Sequence, residues 1–147
     1  SSLRILILII LSIVLSACSG NEDIPAVNFS SETTPVNSAG DAADDPAIWI
    51  NEDNPINSLI FGTDKRSGIH VYGLDGSELG FSALGATNNV DVRVLNKILY
   101  IATSNRTSST IDLWKIPESQ AYDYFSTTDD PFNSLPKHVS INAGMKI

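Results

Sequence analysis

A repeat about 40 residues long constrains the fold of this chain more than any other feature. The segment LIFGTDKR (59–66) aligns with LYIATSNR (99–106) at an offset of 40, and IHVY (69–72) aligns with IDLW (111–114) at an offset of 42. A four-stranded β unit of that length cannot cover both of its faces alone and must stack against neighbouring units. The repeat therefore predicts the blades of a β-propeller.

Short apolar runs rich in Ile, Val, Tyr, Trp and Thr predict an all-β fold. Turn signals separate them, among them Asp75-Gly76 and Asn96-Lys97. The predicted strands are 47–50, 58–63, 68–74, 90–95, 98–103 and 110–116. Residues 117–137 lose the periodicity and are predicted to form a long loop that could include a helical turn. Another strand is predicted to begin at 138–141.

Three carboxylates, those of Asp41, Asp44 and Asp45, fall within five positions directly before a predicted strand. Pro46 disfavours helix at the preceding residue, so the acids are predicted to occupy a stiff loop that leads into the strand. Such a corner offers the oxygen ligands that hard cations such as calcium prefer. The alternative is a solvated Asp-Pro turn, which is the interpretation for residues 129–131.

The N-terminus is typical of an exported lipoprotein. The apolar run 5–15 would rise about 16 Å as a helix, short of the roughly 30 Å needed to span a bilayer, and so predicts a signal peptide. The end of that run, Leu15-Ser16-Ala17-Cys18, resembles a bacterial lipobox, which predicts lipidation of Cys18. An ordinary secretory leader is the alternative. Cys18 is the only cysteine, so an intramolecular disulfide is excluded.

The predicted organisation is a signal peptide at 1–17, a lipidated Cys18 with a flexible linker at 18–40, and part of a β domain at 41–147. The linker is polar and lacks helical or strand periodicity, which is typical of a tether. Because the sequence does not begin with Met, we expect it to be a fragment of a longer protein. The expected location is the cell envelope, as a membrane-anchored lipoprotein, or the extracellular space.

The net charge of −8 bears on the partners. Repulsion makes nucleic acid an unfavourable partner, and an anionic substrate would need a cation to mediate its binding. The membrane is expected to be contacted only through the N-terminal lipid. We expect a monomer.

Basic residues follow equivalent strands of the repeat, as Lys65-Arg66 and Asn105-Arg106. In a closed propeller they would lie side by side at one end and form a cationic cluster; the alternative is that they are solvated turn charges. His70 and His138 have no partner at metal-ligand or catalytic-triad spacing and are predicted to be structural.

Four motifs carry a family resemblance. The segments DAADDPAIW (41–49), NNVDVR (88–93), GTDKRSG (62–68) and SNR (104–106) resemble the β-propeller phytases in order and spacing, over roughly 41–116. The resemblance implies a six-bladed propeller, of which about two blades are present. It also implies calcium-dependent hydrolysis of the phosphomonoesters of phytate (myo-inositol hexakisphosphate), of the 3-phytase type.

The resemblance also implies roles for individual residues. Asp44 would be the catalytic residue, as a ligand of active-site calcium. Asp45, Asn88 and the carbonyl of Val90 would form a further calcium position. Asp91 is a secondary candidate, which could instead orient the loop.

By the same resemblance, Lys65 and Arg106 would bind the phosphates of the substrate, with Arg66 as a secondary candidate. Two alternatives stay open at this point. One is a lipid-anchored propeller that binds without catalysis, and the other is a propeller hydrolase of another type, such as a calcium lactonase. The fragment alone is expected to be inactive, because the family contributes further acidic and basic residues from later blades.

Overall fold

The computed structural model describes residues 28–144, and within them the chain forms two four-stranded antiparallel sheets. The first sheet, blade 1, has the order β1 (Ala43–Trp49), β2 (Leu59–Asp64), β3 (Gly68–Gly73) and β4 (Glu78–Ala83). The second sheet, blade 2, has the order β5 (Thr87–Leu95), β6 (Ile98–Asn105), β7 (Thr110–Pro117) and β8 (Val139–Asn142). A 3-10 turn lies at Pro55–Asn57, and helices α1 (Glu118–Thr127) and α2 (Pro131–Ser134) lie between β7 and β8.

Each sheet is a meander in which every strand pairs with the next one along the chain, as in a propeller blade. The all-β prediction and the prediction of about two blades are confirmed. The prediction missed β4, whose sequence ELGFSA combines a glycine with few β-branched residues. The predicted signal peptide and Cys18 lie outside the described residues.

The strand registers align the second strands of the two blades at an offset of 41, which corrects the predicted offset of 40. Asp64 and Asn105 each pair with the first residue of β1 or β5, and each accepts the main-chain N–H two residues further on. Asp64 is therefore equivalent to Asn105, and Lys65 to Arg106. A slip of one residue exchanges the two faces of a strand, so an offset of 40 pairs residues of β2 and β6 that lie on opposite faces of their blades.

Helix α1 corrects the prediction of a loop at 117–137. Ala121 and Phe125 lie one turn apart on α1 and are both buried. The ring of Phe125 packs against Phe61 of β2 at 5.2 Å between centroids, and Phe132 of α2 packs against Trp114 of β7 at 5.0 Å. Fully burying such an aromatic side chain contributes about 1.5–3 kcal/mol, which outweighs the weak helix propensity of the segment. The helices thus complete a core shared by the two blades.

The segment at 28–40 is not the free tether that the linker prediction implied. The N–H of Thr34 donates to the carbonyl of Gly76 at 2.9 Å, and the N–H of Ser38 donates to the Asp64 carboxylate at 3.1 Å. A Cβ on Gly76 would lie 1.9 Å from the carbonyl oxygen of Glu32, so this close approach requires glycine. Among residues 28–144, no helix is long and apolar enough to cross a membrane.

Candidate active site

Two β-bulges place the acidic and amide side chains of the candidate site. The register of β1 shifts between Ala43 and Pro46, and that of β5 shifts between Thr87 and Val90. In each bulge two residues lie opposite one: Asp44-Asp45 in blade 1 and the equivalent Asn88-Asn89 in blade 2. The prediction that the acids lie in a loop before the strand holds for Asp41 but is wrong for Asp44 and Asp45. These two residues lie within β1, because a bulge tolerates both the proline and the unpaired residues.

Asp45 connects the two blades. One of its carboxylate oxygens, Oδ2, accepts the N–H of Val90 at 3.0 Å. Val90 is 5 % exposed, so this charge-assisted hydrogen bond satisfies a buried amide at the start of the regular part of β5. Strands β1 and β5 lie side by side where the two sheets meet. The sequence-predicted residues Asp45 and Val90 are thus brought into contact.

The hydroxyl of Thr63 joins Asp45 to Asn88. Its Oγ1 accepts the N–H of Asp45 at 2.9 Å and lies 3.2 Å from the Asp45 carbonyl oxygen and 2.9 Å from the Asn88 carbonyl oxygen. Thr63 is 1 % exposed. The side-chain amide of Asn88 itself donates to Asn89 Oδ1 at 3.3 Å. The three residues predicted for one calcium position, Asp45, Asn88 and Val90, therefore meet at the junction of the blades.

Lys65 lies against the acids of blade 1. Its Nζ is 2.8 Å from Asp41 Oδ2 and 3.7 Å from Asp44 Oδ1. The hydrogen bond and the charge of Lys65 lower the pKa of Asp41, and the hydrogen bond to Asp41 raises the pKa of Lys65. Asp44 keeps 28 % of its side chain exposed. A cation and an accessible carboxylate thus share one end of the sheet.

Arg106 occupies in blade 2 the position that Lys65 occupies in blade 1. The N–H of Lys65 donates to the carbonyl of Ala42, and the N–H of Arg106 donates to the equivalent carbonyl of Ala86. The Arg106 guanidinium Nη2 also donates to the carbonyl of Lys65 at 3.3 Å. The predicted neighbourhood of the basic residues is observed, with Lys65 rather than Arg66 as the equivalent of Arg106. Arg66 is exposed in the turn that follows Lys65.

A buried carboxylate holds this turn. Asp64 is fully buried and accepts hydrogen bonds from the N–H groups of Ser38 and Arg66. Burial raises its pKa, but hydrogen bonds from Ser38, Arg66 and Ser67 outweigh that effect and leave the pKa below its ordinary value. The charged form of Asp64 therefore stabilises the turn that carries Lys65.

The carboxylate of Asp91 contacts residues of its own strand, β5. Its Oδ1 accepts the N–H of Val92 at 2.9 Å, and its Oδ2 lies 3.4 Å from Arg93 Nη2. A groove of about 600 Å³ runs along β1 and β5, with Asp45 and Asp91 both on its wall. Asp91 thus has the orienting contacts that were the alternative to a ligand role.

The oxygen donors of the candidate site are of the types that hard cations bind. Carboxylates at Asp44 and Asp45, the amide of Asn88 and main-chain carbonyls are the oxygen ligands that calcium takes, usually six to eight of them. Within residues 28–144, no three His, Cys, Asp or Glu side chains form a group that could hold a metal. These residues therefore offer part of a calcium ligand set, which amide, main-chain and other oxygens would have to complete.

Neither histidine joins this site. His70 is fully buried in blade 1, where its Nδ1 lies 2.7 Å from Glu78 Oε2. The equivalent residue of blade 2, Asp112, is also fully buried and lies 2.7 Å from Lys137 Nζ. The first pair joins β3 to β4, and the second joins β7 to the segment that leads into β8. Such contacts within a blade agree with the structural role predicted for His70. His138 is exposed beside Tyr100.

Comparison with known proteins agrees with the motifs. A family model described as Phytase matches residues 1–140. The chain belongs to the phytase family. The 3-phytase of Bacillus subtilis (strain 168) is 43 % identical to this chain, and the alignment covers 78 % of the chain and 31 % of that protein. This member of the phytase family thus spans less than a third of the length of that relative.

Sequence reasoning missed two hydroxyl groups of this phytase-family chain. Thr63 accepts the N–H of Asp45, and Ser104 accepts the N–H of the equivalent residue Asn89 at 3.2 Å. A signal was present, since both hydroxyls directly precede the residue that ends the second strand of the blade, Asp64 or Asn105. The incorrect offset of 40 hid this equivalence, because it aligned Thr63 with Thr103.

Proposed function

We propose that the protein containing this chain is a calcium-dependent phytase that hydrolyses the phosphomonoesters of phytate to lower inositol phosphates and inorganic phosphate. The observation that carries the proposal is the juxtaposition of Asp44 with Lys65, and of Lys65 with Arg106, at one end of the two blades. Family membership and the name of the Bacillus relative, 3-phytase, support the substrate class.

The charge balance of the chain supports the need for a cation. Phytate is a polyanion, and a chain with a net charge of −8 repels it at long range. When bound, calcium would supply local positive charge and make a water molecule more acidic. The residues proposed to hold it are Asp44 at the active site and, at a further position, Asp45 with Asn88 and the carbonyl of Val90.

The proposed roles of the basic residues follow from their chemistry. Lys65 and Arg106 would donate charge-assisted hydrogen bonds to phosphate oxygens. Lys65 is already paired with Asp41, so a phosphate group would replace or share that partner. In the hydrolysis, a water oxygen bonds to phosphorus while the bond from phosphorus to the inositol oxygen breaks, and the alcohol leaves with a proton taken from the water.

The test is phosphate release from phytate by the full-length protein, with calcium and with excess chelator. If each hydrogen bond contributes roughly 1.5–3 kcal/mol, Lys65→Ala or Arg106→Ala should lower turnover about tenfold to a hundredfold. Asp44→Ala should cost more, because it removes a proposed metal ligand. The matched control is Lys115→Ala, at an exposed lysine on β7, which should leave turnover unchanged.

Two results would reject the phytase proposal. One is an equal rate with calcium and with chelator, and the other is no phosphate release by well-folded protein. The second result would favour a lipid-anchored propeller that binds without catalysis.

We also propose that activity requires more blades than the two in this chain. Apolar side chains on the outer strands of blade 2 are exposed, among them Ile111 at 44 % and Ile141 at 57 %. A further blade of the full-length protein would cover such a face. The test compares phosphate release by residues 28–147 with that by the full-length protein, and equal specific activity would contradict the proposal.

We propose, finally, that the exported protein is anchored by a lipid on Cys18, as the sequence Leu15-Ser16-Ala17-Cys18 indicates. Cys18→Ala should release the protein from the membrane fraction. Mass spectrometry of the mature N-terminus measures the acyl groups directly, and an unmodified Cys18 would contradict the proposal.

A further inference from the structure

We propose that Thr63 is a positioning residue that sets the separation of the two metal-binding bulges. This inference rests on the proposed calcium site at Asp45 and Asn88. Thr63 lies on β2 of blade 1, but its hydroxyl reaches the carbonyl oxygen of Asn88 on β5 of blade 2 at 2.9 Å. It is therefore a direct polar link between the two blades at the site.

The bulge creates a need for this hydroxyl. An inserted residue in a β-bulge loses its partners in the strand ladder, so its N–H and C=O must be satisfied in another way. The Thr63 hydroxyl accepts the Asp45 N–H at 2.9 Å and lies 3.2 Å from the Asp45 carbonyl oxygen. Its single proton is shared between the carbonyls of Asp45 and Asn88, since a hydroxyl has one donor and two acceptor lone pairs.

The contacts form a closed ring across the junction of the blades. The Thr63 hydroxyl binds the main chain of Asp45 and the carbonyl of Asn88. The N–H of Val90 donates to the Asp45 carboxylate at 3.0 Å and closes the ring. At Thr63, 1 % exposed, water cannot replace these bonds, and a β-branched side chain has few χ1 rotamers. The ring therefore fixes Asp45 and Asn88 relative to each other before any ligand arrives.

The same repeat position in blade 2 provides only part of this arrangement. Ser104 accepts the N–H of Asn89 at 3.2 Å and contacts the Asn89 side-chain oxygen at 3.4 Å, within its own blade. Thr103, 2 % exposed, donates to the carbonyl of Asn89 at 2.7 Å, also within blade 2. Among the described residues, Thr63 thus differs from both in joining two blades.

The experiment measures the calcium dissociation constant of chelator-treated full-length protein by titration calorimetry. Thr63→Val replaces the hydroxyl by a methyl group of similar size and should weaken calcium binding about tenfold. Thr63→Ser keeps the hydroxyl and should stay within about threefold of the unsubstituted protein. Ser82→Ala is the control, at a fully buried hydroxyl that accepts the N–H of Phe132 on α2 and contacts none of the proposed ligands; it should lower the melting temperature but leave the calcium affinity within about threefold.

The outcomes separate the two proposals. If the unsubstituted protein binds no calcium, the proposed calcium site is wrong and the role of Thr63 is rejected with it. If the unsubstituted protein binds calcium and folded Thr63→Val binds it equally well, the positioning role alone is rejected. If Thr63→Val does not fold, Thr63→Ser decides, because a folded serine variant with tenfold weaker binding would show that the hydroxyl is not the group that matters.

Discussion

Substitution of Asp45 separates the structural role of this carboxylate from its proposed metal role. In the structure, Asp45 Oδ2 accepts the N–H of Val90, a residue that is 5 % exposed. A hydrogen bond to a charged group contributes about 1.5–3 kcal/mol. Asp45→Ala removes the acceptor and leaves that amide unpaired. Asp45→Asn keeps an oxygen that can accept the N–H but removes the negative charge.

The two variants should therefore differ in melting temperature in chelator but show a similarly small gain when calcium is added. In chelator, we expect Asp45→Ala to melt about 3–12 °C below the unsubstituted protein, at roughly 2–4 °C per kcal/mol for a domain of 150–250 residues. Asp45→Asn should melt closer to it. Calcium at about 100 times its dissociation constant should add about 2.7 kcal/mol to the unsubstituted protein. Both variants should lose most of that gain.

Differential scanning calorimetry of the full-length protein, with calcium and with chelator, measures all of these shifts. A chelator that leaves the melting curve of the unsubstituted protein unchanged would refute the metal role. An Asp45→Asn variant that keeps the full calcium gain would show that the negative charge of Asp45 is not required. An Asp45→Ala variant that loses no stability in chelator would refute the contribution assigned to the bond with Val90.

Three further predictions concern stability. The lowered pKa of buried Asp64 contributes stability that is present above the ordinary aspartate pKa of about 3.9 and is lost as the pH falls through the folded-state pKa. Asp64→Asn should therefore be less stable than the unsubstituted protein at pH 7 and lose less stability in acid. Urea unfolding from pH 7 to pH 3 measures both differences. Burial raises the pKa of Tyr72 to about 12, so stability should be lost between about pH 10 and pH 12, by up to about 1.4 kcal/mol per pH unit. Tyr72→Phe should remove this loss. Equal alkaline unfolding of the two proteins would contradict the prediction. Gly76→Ala places a Cβ against the Glu32 carbonyl at a residue with a φ of +85° and should release the N-terminal segment, which limited proteolysis would detect as earlier cleavage near Ser38.

Several features could be predicted from the sequence because they depend on local chemistry. Ile, Val, Tyr and Thr runs separated by Asp75-Gly76 and Asn96-Lys97 identify strands, since these side chains favour extended backbone and the turn residues do not. A repeated β unit of about 40 residues predicts blades, because neither face of one unit can be left uncovered. The motifs around Asp44 and Asn88 identified the family, and the family model confirms it.

Other features were missed because local patterns do not encode them. The sequence of helix α1 has weak helix propensity. The helix forms because Phe125 packs against Phe61, a residue more than 60 positions earlier in the chain. Residues 28–40 resemble a tether in composition, yet Ser38 donates to the buried carboxylate of Asp64. Partners so distant in sequence leave no periodicity to detect.

The candidate site depends on both the sequence and the tertiary structure. The sequence by itself determined which groups are available, namely the oxygen donors of Asp44, Asp45 and Asn88 and the cations of Lys65 and Arg106. The tertiary structure alone decided that Lys65 corresponds to Arg106, because a one-residue shift in register changes which face each residue occupies. The structure also decided that Asp44-Asp45 and Asn88-Asn89 lie in two bulges linked by Thr63, because the main-chain groups left unpaired by a bulge must find other partners.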